Sequence, residues 1–251
     1  MRVGLFGFGR AGKAVASELL LDKSAYLSWV IRKSSVLQHR SAPEFLGVDS
    51  DEPGLIFPVG EWRSARLLEQ SPVDAIIDFA NTEAIHTYGE QAADAGVAIV
   101  SAVSEYPPET IEYLAKLAER TRVLWSPNIT IGVNFLMLAA KVLQSIAPYT
   151  DIQIVEEHFR AKKGTSGTAR KIAGVLDVPE EEIKVIRAGG IVGRHEILFG
   201  FPHQTVRLSH ESIGREAFGH GALFGAKALQ DKENGLYRME DLLIPYFHAV
   251  S

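Results

Sequence analysis

Short apolar runs alternate with stretches in which apolar residues recur every three or four positions. Val3–Phe6 is apolar and runs into glycines, and "AVASELLL" after it has helical periodicity. "YLSWVIR", "VDAIIDF", "VAIVSAV" and "RVLWSP" read as further strands. Between them, "IHTYGEQAADAG" reads as a helix stopped at Gly96, and "PETIEYLAKLAERT" as a helix with proline in its first turn. Nearly continuous apolar strands alternating with helices predict a parallel sheet covered on both faces. Residues 1–127 are therefore expected to form a doubly wound, Rossmann-type domain.

After Pro127 the pattern changes. "GVNFLMLAAKVLQSIAP" is a strongly apolar helix. "DIQIVEEHF", "IKVIRAG", "EILFGF" and "QTVRLSHES" show strand alternation with Gly or Pro punctuation, interrupted by one helix beginning near "SGTARKIAGVL". An α+β domain with a mixed or antiparallel sheet is predicted over 128–225. "REAFGHGALFGAKALQD" reads as a closing helix whose glycines serve packing.

Composition narrows the function. The 251 residues are 46% hydrophobic and 23% charged, ordinary for a globular protein. A net charge of −5 favours neither nucleic acid nor an anionic membrane surface. No apolar run approaches the ~20 residues of a membrane span, and the first residues lack the pattern of a secretory signal. There is no cysteine, which excludes disulfides, thiolate catalysis and cysteine-held metals and fits a cytoplasmic protein. The eight histidines show no H-x-x-x-H or H-E-x-x-H spacing, so no metal is expected. His195 and His210 are expected at sheet edges or an oligomer interface.

Two stretches carry candidate chemistry. "GFGRAG" (Gly7, Phe8, Gly9, Arg10, Ala11, Gly12) is a G-x-G-x-x-G between the first strand and first helix. Gly7 would permit the tight turn, Gly9 the approach of a pyrophosphate, and Gly12 close packing of helix on sheet. The helix start would offer N–H groups to the phosphates. At the end of the second strand, where an acidic residue would bind the ribose of NAD, stands "IRKSS". Arg32, Lys33 and Ser34 there suit a 2′-phosphate, so NADPH is the expected cofactor, with NADH possible.

The second stretch is "EEHFRAKKGTSGTA", Glu156 to Ala169. His158 ends a strand, Lys162 and Lys163 follow in a loop, and Ser166 can cap the helix entered at Gly167, Thr168 and Ala169. A substrate carboxylate could rest on that helix start and pair with a lysine while His158 donates a proton.

This stretch resembles E-x-H-H-x-x-K-x-D-A-P-S-G-T-A of the dihydrodipicolinate reductase family. "SPNITIGVNFL", "RAGGIVGRHEILF", "REAFGHGA" and "GLYRMEDLL" resemble further segments of that family, in order along nearly the whole chain. The resemblance implies an oxidoreductase of lysine and diaminopimelate biosynthesis that reduces an unsaturated cyclic imine carboxylate with NAD(P)H. It implies His158 as general acid and Lys162 as its helper and carboxylate ligand. Phe159, Lys163, Ser166, Gly167 and Thr168 would line the substrate. Phe79, Ser101, Ala102, Val103, Pro127, Asn128 and Ile129 would join the glycine loop and "IRKSS" around the cofactor. An open mixed sheet in the α+β second domain is implied, as are a homotetramer built through the second domains and packing of 226–251 back on the first.

The chain departs from the family pattern in places. Phe159 stands where the family has a second histidine, "SAVS" (101–104) where it has G-T-T-G, and the loop before Ser166 is one residue shorter. "GFGRAG" replaces a longer glycine loop, and "FANTE" an F-T/S-x-P. Phe159 and Val103 cannot hydrogen-bond a second carboxylate, so weaker recognition of the dicarboxylate is expected. Two alternatives follow: a paralogous imine reductase for another small acid, or a dinucleotide-binding protein without catalysis.

Overall fold

A computed structural model describes residues 1–63 and 66–248. The chain begins with β1 (Arg2–Phe6), α1 (Arg10–Leu21), β2 (Tyr26–Arg32), α2 (Ala42–Leu46), β3 (Leu55–Pro58), α3 (Leu67–Gln70) and β4 (Ala75–Asp78). It continues through α4 (Ala84–Asp94), β5 (Ala98–Ser101), α5 (Pro108–Ala118), β6 (Arg122–Trp125), α6 (Ile131–Ile146) and β7 (Asp151–His158). Then come α7 (Gly167–Val175), β8 (Lys184–Arg187), β9 (Gly193–Gly200), β10 (Thr205–Ser212), α8 (Glu216–Ala228), β11 (Gly235–Tyr237) and α9 (Met239–His248). None of these helices is long and apolar enough to cross a membrane. The chain divides into two compact units, Met1–Thr130 with Phe218–Pro245, and Ile131–Ala217 with the described residues from Tyr246.

The first unit is the parallel sheet that the apolar runs predict. Its order is β11-β6-β5-β4-β1-β2-β3, and every neighbouring pair is parallel. All four residues of β4 and of β5 are buried, as a sheet covered on both faces requires. Phe6, Trp29, Trp62 and Tyr88 cluster in one core, with Phe6 and Trp62 edge-to-face at 5.0 Å. The glycines of α8 serve packing: a Cβ at Gly221 would stand 2.0 Å from the Ile129 carbonyl oxygen. The strand Leu55–Pro58 and the helix Ala42–Leu46 are additions to the sequence reading. Each is four or five residues long, too short to show a period.

The second unit is the mixed sheet, in the order β10-β9-β7-β8. Its β7–β8 pair is parallel and the others antiparallel. Burial alternates residue by residue along β7 and β9, so one face is packed. Leu136, Met137 and Ala140 of α6 and Ile172 and Ala173 of α7 cover Ile154, Ile197 and Phe199 on that face. Glu156, His158 and His195 follow the same alternation and are buried too, although they are polar. The hydrophobic layer thus continues into a charged one at the start of α7.

Candidate active site

In the first unit, a tight turn carries the chain from β1 into α1. Gly7 has φ +96°, and a Cβ on it would strike the Phe79 backbone at 2.5 Å. A Cβ on Gly12 would stand 1.9 Å from the Gly7 carbonyl oxygen, so the helix meets the turn only through glycine. In front of Gly9 there is open space, with nothing within 4 Å of an added Cβ. Arg10 is exposed beside it, Ala11 is half-buried, and Phe8 turns its ring inward. A cavity of about 310 Å³ joins Gly7 to Arg32 and Lys33 and is lined further by Ala80, Asn81 and Thr87. Ser34 is exposed next to it. Open space at Gly9 and a cavity with two cations fit a dinucleotide.

Phe79 and the loop after β5 lie along the same carboxyl edge of the sheet. Phe79 follows Asp78, whose buried carboxylate accepts from Ala80 N and Tyr88 Oη, both at 2.8 Å. Burial pushes the Asp78 pKa up to about 7, against the two hydrogen bonds that lower it. Ser101 and Val103 do not face outward. The Ser101 hydroxyl is buried 2.8 Å from Tyr106 Oη, and the Val103 side chain belongs to the core. Only their backbone, half-buried Ala102 and exposed Ser104 are left for a ligand. Ser126 Oγ donates to the Asn128 carbonyl at 2.7 Å and shapes the Pro127–Ile129 turn, in which Ile129 is buried.

In the second unit, Ser166 caps α7, its Oγ accepting from Ala169 N at 3.0 Å. Ser166 N donates to both oxygens of Glu156, at 3.2 and 3.1 Å, and its Oγ lies 3.1 Å from His195 Nε2. Arg187 completes the arrangement. Its Nη2 donates to Glu156 Oε1 at 2.5 Å and to the Gly164 carbonyl at 2.6 Å, and its Nε to the Lys162 carbonyl at 3.1 Å. One guanidinium therefore holds both the buried carboxylate and the loop that carries the lysines.

His158 is buried beside this network. Its Nδ1 is 3.5 Å from Glu156 Oε2, and its ring centroid is 5.4 Å from that of His195. Burial lowers the His158 pKa, as do Lys162 and Arg187, while Glu156 opposes them. Burial lowers His195 further, to about 4. Desolvation would raise Glu156, but the hydrogen bonds from Arg187 and Ser166 outweigh it and keep the carboxyl below its ordinary value. At neutral pH the layer thus holds an anion, a guanidinium and two neutral imidazoles. Lys162 is half-buried and Lys163 exposed, and neither forms an ion pair among the described residues. Phe159 is 43% exposed, Gly167 is exposed and Thr168 half-buried at the helix start.

His195 corrects the sequence expectation. It is not at a sheet edge but on β9, directly opposite Glu156 of the central β7. Arg187 and Asp78 were also missed. Glu156, His158 and His195 could together reach one cation, a cluster that linear histidine spacing does not reveal. Here Arg187 supplies the positive charge on Glu156.

A doubly wound sheet opened by a glycine turn, with cations at the end of β2, defines the class: a nicotinamide-dinucleotide-dependent oxidoreductase. The chain belongs to the dihydrodipicolinate reductase family, whose N-terminal domain model matches residues 1–129 and whose C-terminal domain model matches residues 129–243. A 4-hydroxy-tetrahydrodipicolinate reductase of Caldanaerobacter subterraneus is 32% identical over 226 residues, covering 80% of this chain and 89% of its own. One from Methylococcus capsulatus is 28% identical over 97% of this chain and 98% of its own. Among solved structures, a dipicolinate-bound dihydrodipicolinate reductase from a Paenisporosarcina species shares the fold. Its TM-score is 0.79 at 20% identity, over 96% of this chain and 98% of that one.

Proposed function

We propose that the protein reduces the unsaturated cyclic imine dicarboxylate of lysine and diaminopimelate biosynthesis, using NADPH in preference to NADH. The observation that carries the reading is the capped start of α7, fixed by Glu156, Arg187 and His195, with His158 and Lys162 beside it. Gly7, Gly9 and Gly12 would hold the pyrophosphate, and Arg32 and Lys33 the 2′-phosphate. The bound dinucleotide supplies the hydride. Ser166, Gly167 and Thr168 hold one substrate carboxylate on the α7 N-terminus, and Lys162 pairs with it.

The depressed pKa of His158 has a role in this reading. Burial, Lys162 and Arg187 outweigh Glu156 and keep the imidazole neutral. A carboxylate substrate brings negative charge that favours the imidazolium. His158 then donates its proton beside the carbon that takes the hydride, so one hydride and one proton add across one unsaturated bond. Lys162 favours proton loss from His158 and assists the donation.

Assembly as a homotetramer through the second unit belongs to the same proposal. Val142 and Ile146 of α6 are 47% and 72% exposed, and β10 is an edge strand with unpaired backbone groups. Light scattering on the purified protein tests it.

The functional test is cofactor oxidation with the cyclic dicarboxylate beside monocarboxylate imines. A kcat/KM above ~10⁴ M⁻¹s⁻¹ on the dicarboxylate is expected. A higher value on a monocarboxylate imine, with none on the dicarboxylate, would replace this substrate by that of a paralogous reductase.

A further inference from the structure

The first unit holds a buried carboxylate that the proposed reaction does not use. Asp78 closes β4 with none of its surface exposed. Its oxygens accept from Ala80 N and Tyr88 Oη, and no lysine, arginine or histidine pairs with it among the described residues. Such a carboxylate is uncommon, because two neutral donors offset little of the desolvation of an anion. The elements around it supply no positive charge. Phe6 of β1 and Ser101 of β5 stand beside it in register. Tyr88 comes from α4, and Tyr106 from the loop after β5, where it bonds Ser101. Burial, and then the Asp78 charge, raise both phenols further above the neutral range. Asp78 is therefore the one group of this cluster that changes charge near neutral pH, burial having pushed its pKa up to about 7.

Its position gives that proton a use. Phe6 leads directly into Gly7, and Phe79 N donates to the Phe6 carbonyl at 2.8 Å. Ala80, held by the Asp78 carboxylate, lines the cavity with Gly7, Arg32 and Lys33. Neighbouring strands are ~4.8 Å apart, so a pyrophosphate on the glycine turn comes to rest about two strand spacings, ~10 Å, from this carboxylate. The cations of the cavity lie on the other side of β1, at the end of β2. Like charges at that range repel by an amount worth roughly tenfold in an equilibrium constant. Burial of Asp78 leaves that repulsion weakly screened by salt.

We propose that Asp78 takes up a proton when the dinucleotide binds, so that a neutral acid stands beside the bound pyrophosphate. This rests on dinucleotide binding at the glycine turn and on nothing assumed about the substrate. The free protein holds the acid below pH 7 and the carboxylate above it, and the phosphates move that transition upward. At low pH both forms carry the proton and affinity is constant. Above pH 7 binding requires proton uptake, so affinity falls as pH rises until the bound form loses the proton too.

The test is calorimetric binding of NADH, which lacks the titrating 2′-phosphate of NADPH, to wild type, Asp78→Asn and Tyr88→Phe. Between about pH 6 and about pH 9 the wild-type Kd should rise roughly tenfold. Near pH ~8, buffers of different ionisation enthalpy should reveal uptake of part of a proton. Asparagine reproduces the protonated acid, accepting from Ala80 N and donating to Tyr88 Oη. Asp78→Asn should therefore bind with the low-pH Kd at every pH and take up no proton. Tyr88→Phe removes a bond that lowers the Asp78 pKa, so its rise in Kd should begin at higher pH, a readout that serves also if Asp78→Asn does not fold. A wild-type Kd independent of pH overturns the proposal. So does a folded Asp78→Asn that keeps the wild-type pH dependence or binds weakly at every pH, and so does an unmoved onset in Tyr88→Phe. Absence of NADH and NADPH binding at every pH removes the dinucleotide site itself.

Discussion

The molecule contains two strand-to-helix turns suited to anions, and they are built on opposite principles. The β1–α1 turn is made by subtraction. Gly7 and Gly12 remove the Cβ atoms that would collide with the Phe79 and Gly7 backbones, and space opens at Gly9. The β7–α7 turn is made by addition. Glu156, Arg187, His195 and Ser166 come from four elements and fix one helix start with hydrogen bonds. In the proposed reaction the first turn accepts a group that is the same in every dinucleotide, so backbone suffices. In the same proposal the second orients a particular substrate and delivers a proton, which takes titratable groups whose charge is set by neighbours.

If this division holds, its largest consequence falls at His158. His158→Gln should lower kcat by about 10²–10⁴-fold, as loss of a general acid does. Steady-state cofactor oxidation measures it, and wild-type turnover would move the proton source elsewhere. Next comes the network beneath it. Glu156→Ala leaves the half-buried Arg187 with only the Gly164 and Lys162 carbonyls, which should cost ~3 kcal/mol of stability. Urea unfolding measures the loss. A change below ~1 kcal/mol would show the network to be dispensable for folding.

A smaller effect concerns pH. His195 faces His158, Glu156, Lys162 and His210, and its pKa falls from 6.5 to about 4 on folding. The unfolded chain therefore binds a proton first as pH drops. Stability from this site is complete above pH 6.5, declines toward pH 4, and its full loss is worth ~3 kcal/mol. His195→Gln should flatten that part of the stability curve, whereas an unaltered curve would mean that His195 does not titrate there. The smallest expected effect lies at the other turn. Arg32→Ala should remove about a tenfold preference for NADPH over NADH, the contribution of one charge-assisted hydrogen bond. Equal dissociation constants for the two cofactors in the wild type would remove the basis for that preference.

The contrast also explains what could be read from sequence. "GFGRAG" and "IRKSS" are contiguous, and their steric and charge logic survives without coordinates. Ser166 was legible as a cap for the same reason, and the alternation of β7 is visible in "DIQIVEEHF". Arg187 and His195 were not, because their role depends on β8 and β9 flanking β7, and strand order leaves no local mark. Val103 illustrates the reverse. Its place in "SAVS" suggests a ligand contact, yet its side chain packs into the core, which only the course of the loop reveals.

The central claim is that the glycine turn binds the cofactor independently of the proton-delivering layer. The most direct test is an NADPH titration of His158→Gln, followed by the cofactor's fluorescence. The account predicts a dissociation constant equal to the wild type's in a variant whose turnover has collapsed. NADPH binding weakened in proportion to the loss of turnover would contradict it.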